Sequence, residues 1–145
     1  MKSSSVVFAV ALYGAARLAG AAGLGLVDGK LAPCPSAPRC VSSQSPDAGH
    51  VVAPIAFTGE PAAAWKRLKA TLEKLPRLKL VEEKEGYLHL VAASRIMRFK
   101  DDLEFVLLPG ASSIEVRSSA RIGYYDMNVN RNRVEAIRKL FARQP

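Results

Sequence analysis

Four short stretches in the second half of the chain favour strands, and in the last three of them the residues at alternate positions divide into two faces, a period of two that is typical of half-buried strands. The stretches are residues 78–83, 87–93, 103–108 and 114–120. Lys84-Glu85-Gly86 lies between the first two as a hairpin signal, and Pro109-Gly110 marks the turn between the last two. In the second stretch Tyr87, His89 and Val91 share the face away from the core, which predicts an exposed histidine. The pattern predicts four consecutive strands.

A helical period predicts two amphipathic helices around these strands. The apolar stripe of the first consists of Trp65, Leu68, Leu72 and Leu75, and that of the second of Val134, Ile137, Leu140 and Phe141. Pro61 opens the first helix and Pro76 ends it. Residues 50–57 predict one more strand, in which Pro54 indicates an edge or a bulge. The order strand, helix, four strands, helix predicts an α+β fold, with an antiparallel sheet of about five strands and both helices packed on one face.

The N-terminal residues 1–27 have the composition of a leader. Lys2 precedes an apolar run over residues 6–16, and Ala19-Gly20-Ala21 supplies the small residues of a signal-peptidase site. Export to the periplasm or cell envelope with cleavage is the favoured interpretation. A retained membrane anchor within residues 6–27 is the alternative, although Arg17 inside a bilayer would cost about 2.5–3.5 kcal/mol. The chain is thus divided into this leader, a proline-rich loop (28–49) and an α+β domain (50–145).

The proline-rich loop holds both cysteines of the chain, Cys34 and Cys40. If the chain is exported, an oxidising compartment makes a Cys34–Cys40 disulfide the default. A metal site completed by His50 is the alternative, but structural zinc takes four ligands, and no second Cys or His pair has a matching spacing. The sequence therefore predicts a disulfide, and neither a metal nor a cofactor is expected.

Basic residues dominate the chain, which has a net charge of +8 and a pI near 9.8. After position 116, seven basic residues face only two acidic ones, so +5 of this charge lies there. Such a balance favours anionic partners: a small molecule, a lipid head group or an acidic protein surface. Nucleic acid is disfavoured, because only Tyr124 and Tyr125 accompany these basic residues and export would remove the protein from the cytoplasm.

The polar residues near the predicted strand ends suggest an anion-binding pocket. It would be lined by Arg117, Arg121, Asn130 and Arg131 and shaped by Asp102 and Asp126. Asn130 is the predicted N-cap of the second helix, where free amides attract anions, and arginine suits carboxylate or phosphate. Alternatively, the same acids neutralise the same arginines in a structural ion-pair network, with Glu104 opposite Arg117 and Asp102 near Arg121.

Catalysis has less support in the sequence. Asp101 and Asp102 are adjacent in a strand, point to opposite faces and cannot act as a paired acid and base. None of the serines lies in a nucleophile-elbow motif. A non-enzymatic binding domain is therefore favoured. The alternative is an enzyme acting on an anionic substrate, with Asp102 or His89 as the proton-transfer group.

Several motifs, taken in order, resemble a bacterial and plastid-associated family known only as domain of unknown function 1499. They are PCP at residues 33–35, PRCVSS at 38–43, His50 with API at 53–55, YLH at 87–89, FKDDLEF at 99–105, VRSSARIGY at 116–124 and NRNRVEAIR at 130–138. The resemblance covers about residues 31–141, with Arg39 in place of an asparagine and Lys100 in place of a small or apolar residue. It implies a shared fold and an envelope or membrane-associated setting, and no established activity.

Overall fold

The computed structural model describes residues 23–145. The predicted cleavage site and the apolar run at 6–16 lie outside these residues. Ten elements follow one another in the described part: β1 (Leu26–Val27), β2 (Lys30–Leu31), β3 (Cys40–Ser42), β4 (Ile55–Ala56), α1 (Pro61–Glu73), β5 (Leu78–Lys84), β6 (Tyr87–Ala93), β7 (Lys100–Val106), β8 (Ser113–Ala120) and α2 (Val129–Ala142). The predicted α+β class is confirmed.

The four predicted consecutive strands form an antiparallel meander in which β5, β6, β7 and β8 are neighbours in that order. Strands β3 and β4 both pair antiparallel with β8 along its other edge, so the sheet has six strands. The β1–β2 pair forms a separate two-stranded sheet. Strands β6, β7 and β8 keep the predicted division into two faces, one of which packs on the helices. Strand β5 departs from it, because its register shifts between Leu80 and Glu82 and leaves Leu80 and Val81 exposed.

The main hydrophobic core lies between the sheet and the two helices. Leu103 and Phe105 of β7 and Val116 of β8 are fully buried there, together with Leu68 of α1 and Ile137 of α2. Trp65 and Leu75 pack against this core while remaining partly exposed. The predicted apolar stripes therefore face the core, except that Leu140 is only partly buried and lies outside it. The polar residues of the core-facing strands lie on the opposite face of the sheet.

The first strands differ from the prediction for residues 50–57. Only Ile55–Ala56 forms a strand there, because Pro54 has no N–H to donate to a ladder, and Val51 makes a single isolated bridge to Ser42. The loop assignment of residues 40–42 is wrong, since Cys40–Ser42 pairs with β8. A three-residue strand beside a cysteine is too short to show a period. Strand β7 also begins three residues earlier than expected, at Lys100.

The second face of the sheet is covered by residues 23–32, which the sequence pattern left in the leader and loop. Leu31 packs against Tyr87 and Val106 there, and the Ala32 amide donates to the Gly25 carbonyl at 3.1 Å. His89 lies on this same face and is buried, so its predicted exposure is wrong. The predicted disulfide is confirmed: the Sγ atoms of Cys34 and Cys40 are 2.07 Å apart.

Candidate functional site

Polar side chains occupy the sheet face that residues 23–32 cover, and we call this group the covered network. Its members are Tyr87, His89, Asp102, Glu104, Arg117 and Arg121. They lie one residue out of phase with the apolar residues of β6, β7 and β8, so the alternation that buries Leu103 and Phe105 on one face places Glu104 on the other. All of them except Arg121 are buried.

Glu104 lies at the centre of the covered network and has no exposed surface. Its Oε1 accepts hydrogen bonds from the Gly25 amide at 2.7 Å and the Tyr87 hydroxyl at 2.8 Å. Its Oε2 accepts one from Arg117 Nη1 at 2.9 Å. Burial, together with the hydrogen bond to this carboxylate, raises the pKa of the Tyr87 hydroxyl above its ordinary range. Three donors thus hold Glu104 in one position, as a structural anchor requires.

Asp102 lies between two basic side chains, His89 and Arg121, on the same face of the sheet. Its Oδ1 is 2.7 Å from His89 Nε2, and Arg121 donates to both of its oxygens, from Nε at 2.9 Å and Nη2 at 2.8 Å. Burial by itself would raise the pKa of the Asp102 carboxyl, but the hydrogen bonds from Arg121 and His89 outweigh it and hold the pKa below its usual value. The bond to Asp102 raises the pKa of Arg121 in return. The carboxylate is therefore kept ionised and paired.

A second polar group, the helix-side network, joins α2 to the other face of the sheet. Asn130 is fully buried, and its Oδ1 accepts hydrogen bonds from Ser118 Oγ at 2.5 Å and from Arg133 Nη1 at 2.7 Å. Its Nδ2 donates to Asp126 Oδ2 at 2.8 Å. Arg133 also donates to Asp101 Oδ2 at 2.7 Å, which ties the start of β7 to the helix.

The prediction that Asn130 is the N-cap of the second helix is wrong. The cap position is Asn128, which has a left-handed backbone (φ 61°) and no capping hydrogen bond from its side chain. Asp126 performs the capping instead, because its Oδ1 accepts from the Asn128 amide and its Oδ2 from the Asn130 amide, both at 3.0 Å. The residue pattern alone does not decide which polar residue before the helix caps it. An internal carboxylate therefore occupies the helix start that was expected to attract an external anion.

The residues of the predicted pocket are distributed over both faces of the sheet. Arg117 and Arg121 belong to the covered network, whereas Asp126 and Asn130 belong to the helix-side network. Arg131 lies apart from both and donates to the carbonyls of Val51 at 2.7 Å and Gly49 at 2.9 Å. The structure brings together Asp102 with Arg121 and Asp126 with Asn130, but it does not gather the six residues of the predicted pocket around one space.

The two candidates for proton transfer, Asp102 and His89, are hydrogen-bonded to each other. Among residues 23–145, Ser119 is the hydroxyl residue that pairs with Asp102 in the sheet, but it does not lie next to His89. Ser119 of β8 pairs with Asp102 of β7, and His89 lies on β6, so the serine and the histidine flank the aspartate on opposite sides. Two strand spacings separate them by roughly 10 Å. Within residues 23–145 no three His, Cys, Asp or Glu side chains form a group that could hold a metal ion.

One end of the sheet carries cations that the sequence pattern did not single out. We call it the basic end: the β6–β7 loop with Lys100 (residues 94–100) and the β8–α2 loop (121–128). The loops leave the sheet together, since the Arg121 amide donates to the Lys100 carbonyl at 3.2 Å and Asp101 pairs with Ala120. Arg95, Arg98 and Lys100 are exposed there. The run SRIMRFK has neither strand nor helix period, and its three cations without an acid are the signal that could have identified it.

The family model described as "Protein of unknown function (DUF1499)" matches residues 30–141. The chain belongs to this family. No curated protein and no solved structure matches the chain. The DUF1499 match runs from β2 into the last turn of α2 and confirms the resemblance seen in the motifs.

The DUF1499 match includes every side chain of the covered and helix-side networks, but it leaves out Gly25, whose amide binds Glu104. Residues that precede the match thus complete the covered face. In the part of the chain that the structure describes, no helix is long and apolar enough to cross a membrane.

Proposed function

We propose that the protein is an exported, envelope-facing domain without catalytic activity that binds an anionic partner through its basic end. The observation that carries the proposal is the distribution of ion pairs. Arg117, Arg121 and Arg133 each pair with a carboxylate of β7. Arg95, Arg98 and Lys100 have no ion pair with a described residue, and residues 94–100 contain no acid.

This proposal moves anion binding away from the helix start. The amides of Asn128 and Asn130 already donate to the Asp126 carboxylate, so the helix start is not free for an external ligand. Arg117 is not free either, because it already pairs with the buried carboxylate of Glu104. Arg121 belongs both to the pocket predicted from the sequence and to the basic end, because its side chain is exposed there while it donates to Asp102. Unpaired, exposed cations attract and retain an anionic partner without loss of internal ion pairs.

Export is supported by two observations. The Cys34–Cys40 disulfide fits an oxidising compartment. A cut after Ala21 would also keep Gly25, whose amide donates to Glu104, in the mature chain. Mass spectrometry of the protein from its native envelope, with and without reductant, would give the mature N-terminus and the cysteine state. An intact leader together with free thiols would contradict export.

Charge reversal tests the anionic partner. The variant Arg95→Glu/Arg98→Glu should bind roughly tenfold more weakly to an immobilised sulfated polysaccharide at moderate salt. Lys66→Glu/Lys139→Glu is the matched control, because it changes the net charge equally at two exposed helix lysines away from the basic end. Lys100 is left unchanged because Asp101 and Asp102 follow it directly. Equal weakening by both variants would mean that net charge alone attracts the polyanion, and the proposed site would be wrong.

The hydrogen bond between His89 and Asp102 supports a second candidate, an enzyme acting on an anionic substrate. The variant Asp102→Asn separates the two. A binding domain should keep its retention on the polyanion, since Asp102 is buried and does not belong to the basic end. An enzyme should lose turnover while still binding.

A further inference from the structure

We infer that the basic end docks on an anionic membrane surface, with the apolar tips of its two loops entering the boundary between lipid head groups and acyl chains. The inference rests on the proposed function and names its partner. It is carried by exposed apolar residues, which a soluble anion would leave uncovered.

Apolar side chains are concentrated at the tips of both loops. They are Ile96, Met97, Phe99, Ile122, Tyr124, Tyr125 and Met127, and all of them are exposed. Ile96 is 84% exposed, Tyr124 75% and Met127 74%. Side chains lying in a groove would not leave so much surface open. Clustered exposed apolar surface on a soluble domain marks a site of contact with a partner or a membrane.

Hydrogen bonds at the base of each loop hold these tips outward. In the β6–β7 loop the Ser94 amide donates to the Phe99 carbonyl, and the Phe99 amide donates to Ser94 Oγ, both at 2.9 Å. The residues between them project beyond this closure. In the β8–α2 loop the Asp126 carboxylate fixes the chain where it enters α2. The two tips are thus anchored on a rigid sheet end, which lowers the ordering cost of docking.

The charge around the tips fits lipid better than it fits a neutral surface. Arg95 and Arg98 flank Ile96 and Met97, and Arg121 precedes the second tip. Cations beside exposed apolar residues are the composition of interfacial membrane-binding segments, and tyrosine is enriched at the level of the head groups. Each basic residue near an anionic leaflet contributes about 1 kcal/mol, which is roughly a fivefold change in affinity. The acid of the second loop, Asp126, is engaged with backbone amides.

The point where the leader joins the domain is compatible with the same membrane. Gly23, the first described residue, lies against Arg117, since a Cβ placed on it would be 3.2 Å from Nη2. Arg117 is four strand residues from Arg121, or about 13 Å from the basic end. The apolar run at residues 6–16 precedes this point by only a few residues.

Vesicle flotation with the full chain tests the inference, with anionic phosphatidylglycerol vesicles compared with neutral phosphatidylcholine ones. Ile96→Ser/Met97→Ser should reduce partition onto anionic vesicles at least tenfold and leave retention on the sulfated polysaccharide unchanged. Leu80→Ser/Val81→Ser is the matched control, because it removes two exposed apolar side chains from β5, outside the basic end. The control should bind the vesicles like the native protein.

The depth to which the loop tips enter the bilayer is measured by fluorescence quenching with brominated acyl chains. Trp65 is the single tryptophan, belongs to α1 and packs against the core, so it should remain unquenched in the native protein. A Tyr124→Trp/Trp65→Phe variant should be quenched on anionic vesicles. Normal vesicle binding by Ile96→Ser/Met97→Ser, or no quenching in the Tyr124→Trp variant, would overturn the inference.

The outcomes also separate the two proposals. If Arg95→Glu/Arg98→Glu weakens polysaccharide retention but the native protein does not bind anionic vesicles, the proposed function stands and the membrane is the wrong partner. An acidic protein surface would then take its place. If that variant and its charge-matched control behave alike on both probes, the proposed function itself fails.

Discussion

Replacing Arg117 alone should destabilise the protein more than replacing Arg117 and Glu104 together. Arg117 Nη1 donates to Glu104 Oε2 at 2.9 Å, and the two side chains are 3% and 0% exposed. Methionine is close to the arginine stem in length but cannot donate, so Arg117→Met leaves a carboxylate without its cation in a site that excludes water. Removing one partner of a buried ion pair costs about 3–5 kcal/mol.

The remaining contacts of Glu104 decide where within about 3–5 kcal/mol the loss for Arg117→Met should fall. The Gly25 amide and the Tyr87 hydroxyl still donate to Oε1, so part of the charge remains hydrogen-bonded, and we expect the lower end, about 3 kcal/mol. In Arg117→Met/Glu104→Leu no charge remains buried. The two donors to Oε1 lose their acceptor at about 1 kcal/mol each, so the double variant should lose roughly 2 kcal/mol.

Urea unfolding at pH 7 with the disulfide intact, followed by circular dichroism, measures these differences in a double-mutant cycle. Lys69→Met is the control, because the Lys69–Glu83 ion pair is solvent-exposed and should contribute less than about 1 kcal/mol. A loss below about 1 kcal/mol for Arg117→Met would show that the pair is hydrated, and the reasoning would be refuted. Additive losses in the cycle would refute it equally.

Three further predictions concern stability and are measured by the same unfolding assay. Asn130→Ala should cost about 2–3 kcal/mol because a buried hub of hydrogen bonds is lost, whereas Asn128→Ala should cost less than about 1 kcal/mol because the Asn128 side chain makes no capping bond. The pKa of Asp102 is below its usual value in the folded state, so its ionised form stabilises the protein above about pH 4, and this contribution is lost as the pH falls through the folded pKa. The free energy of unfolding of Asp102→Asn should therefore fall less steeply in acid than that of the native protein. An unchanged pH profile would contradict the pairing. Replacing Cys34 and Cys40 with serine should cost about 2 kcal/mol, since the closed loop is short, and a loss above about 4 kcal/mol would mean that the bridge does more than constrain the unfolded chain.

The periodicity of the hydrophobic residues and the turn residues between them were sufficient to predict the four-stranded meander and both helices. Alternation in residues 103–108 and 114–120 correctly predicted that Glu104 lies opposite Arg117, because register follows from which residues face the core. The short strands were not predictable in this way. Cys40–Ser42 has three residues, and its pairing with β8 depends on a partner more than 70 positions away.

The candidate site was predicted in part. Asp102 and Arg121 were predicted to lie at the same end of the sheet, and in the structure they form an ion pair there. The cap was misassigned because several polar residues precede α2 and only the backbone decides which one accepts its amides. His89 was misjudged because alternation shows which face of the sheet it lies on, but not that this face is itself covered. The β6–β7 loop of the basic end was overlooked because residues 94–100 have neither a strand period nor a helix period.

The amide of Gly25, which lies five residues before the family match, has a practical consequence for producing the protein. A fragment cut to the boundaries of the match, residues 30–141, would keep Leu31 on Tyr87 and Val106 but would lose β1 and the Gly25 amide that donates to the buried Glu104 carboxylate. Such a truncation should unfold more readily than a fragment that starts at residue 22 or 23. Recombinant work on this domain therefore needs its start point set by the chain's own packing, several residues ahead of where sequence comparison would place it.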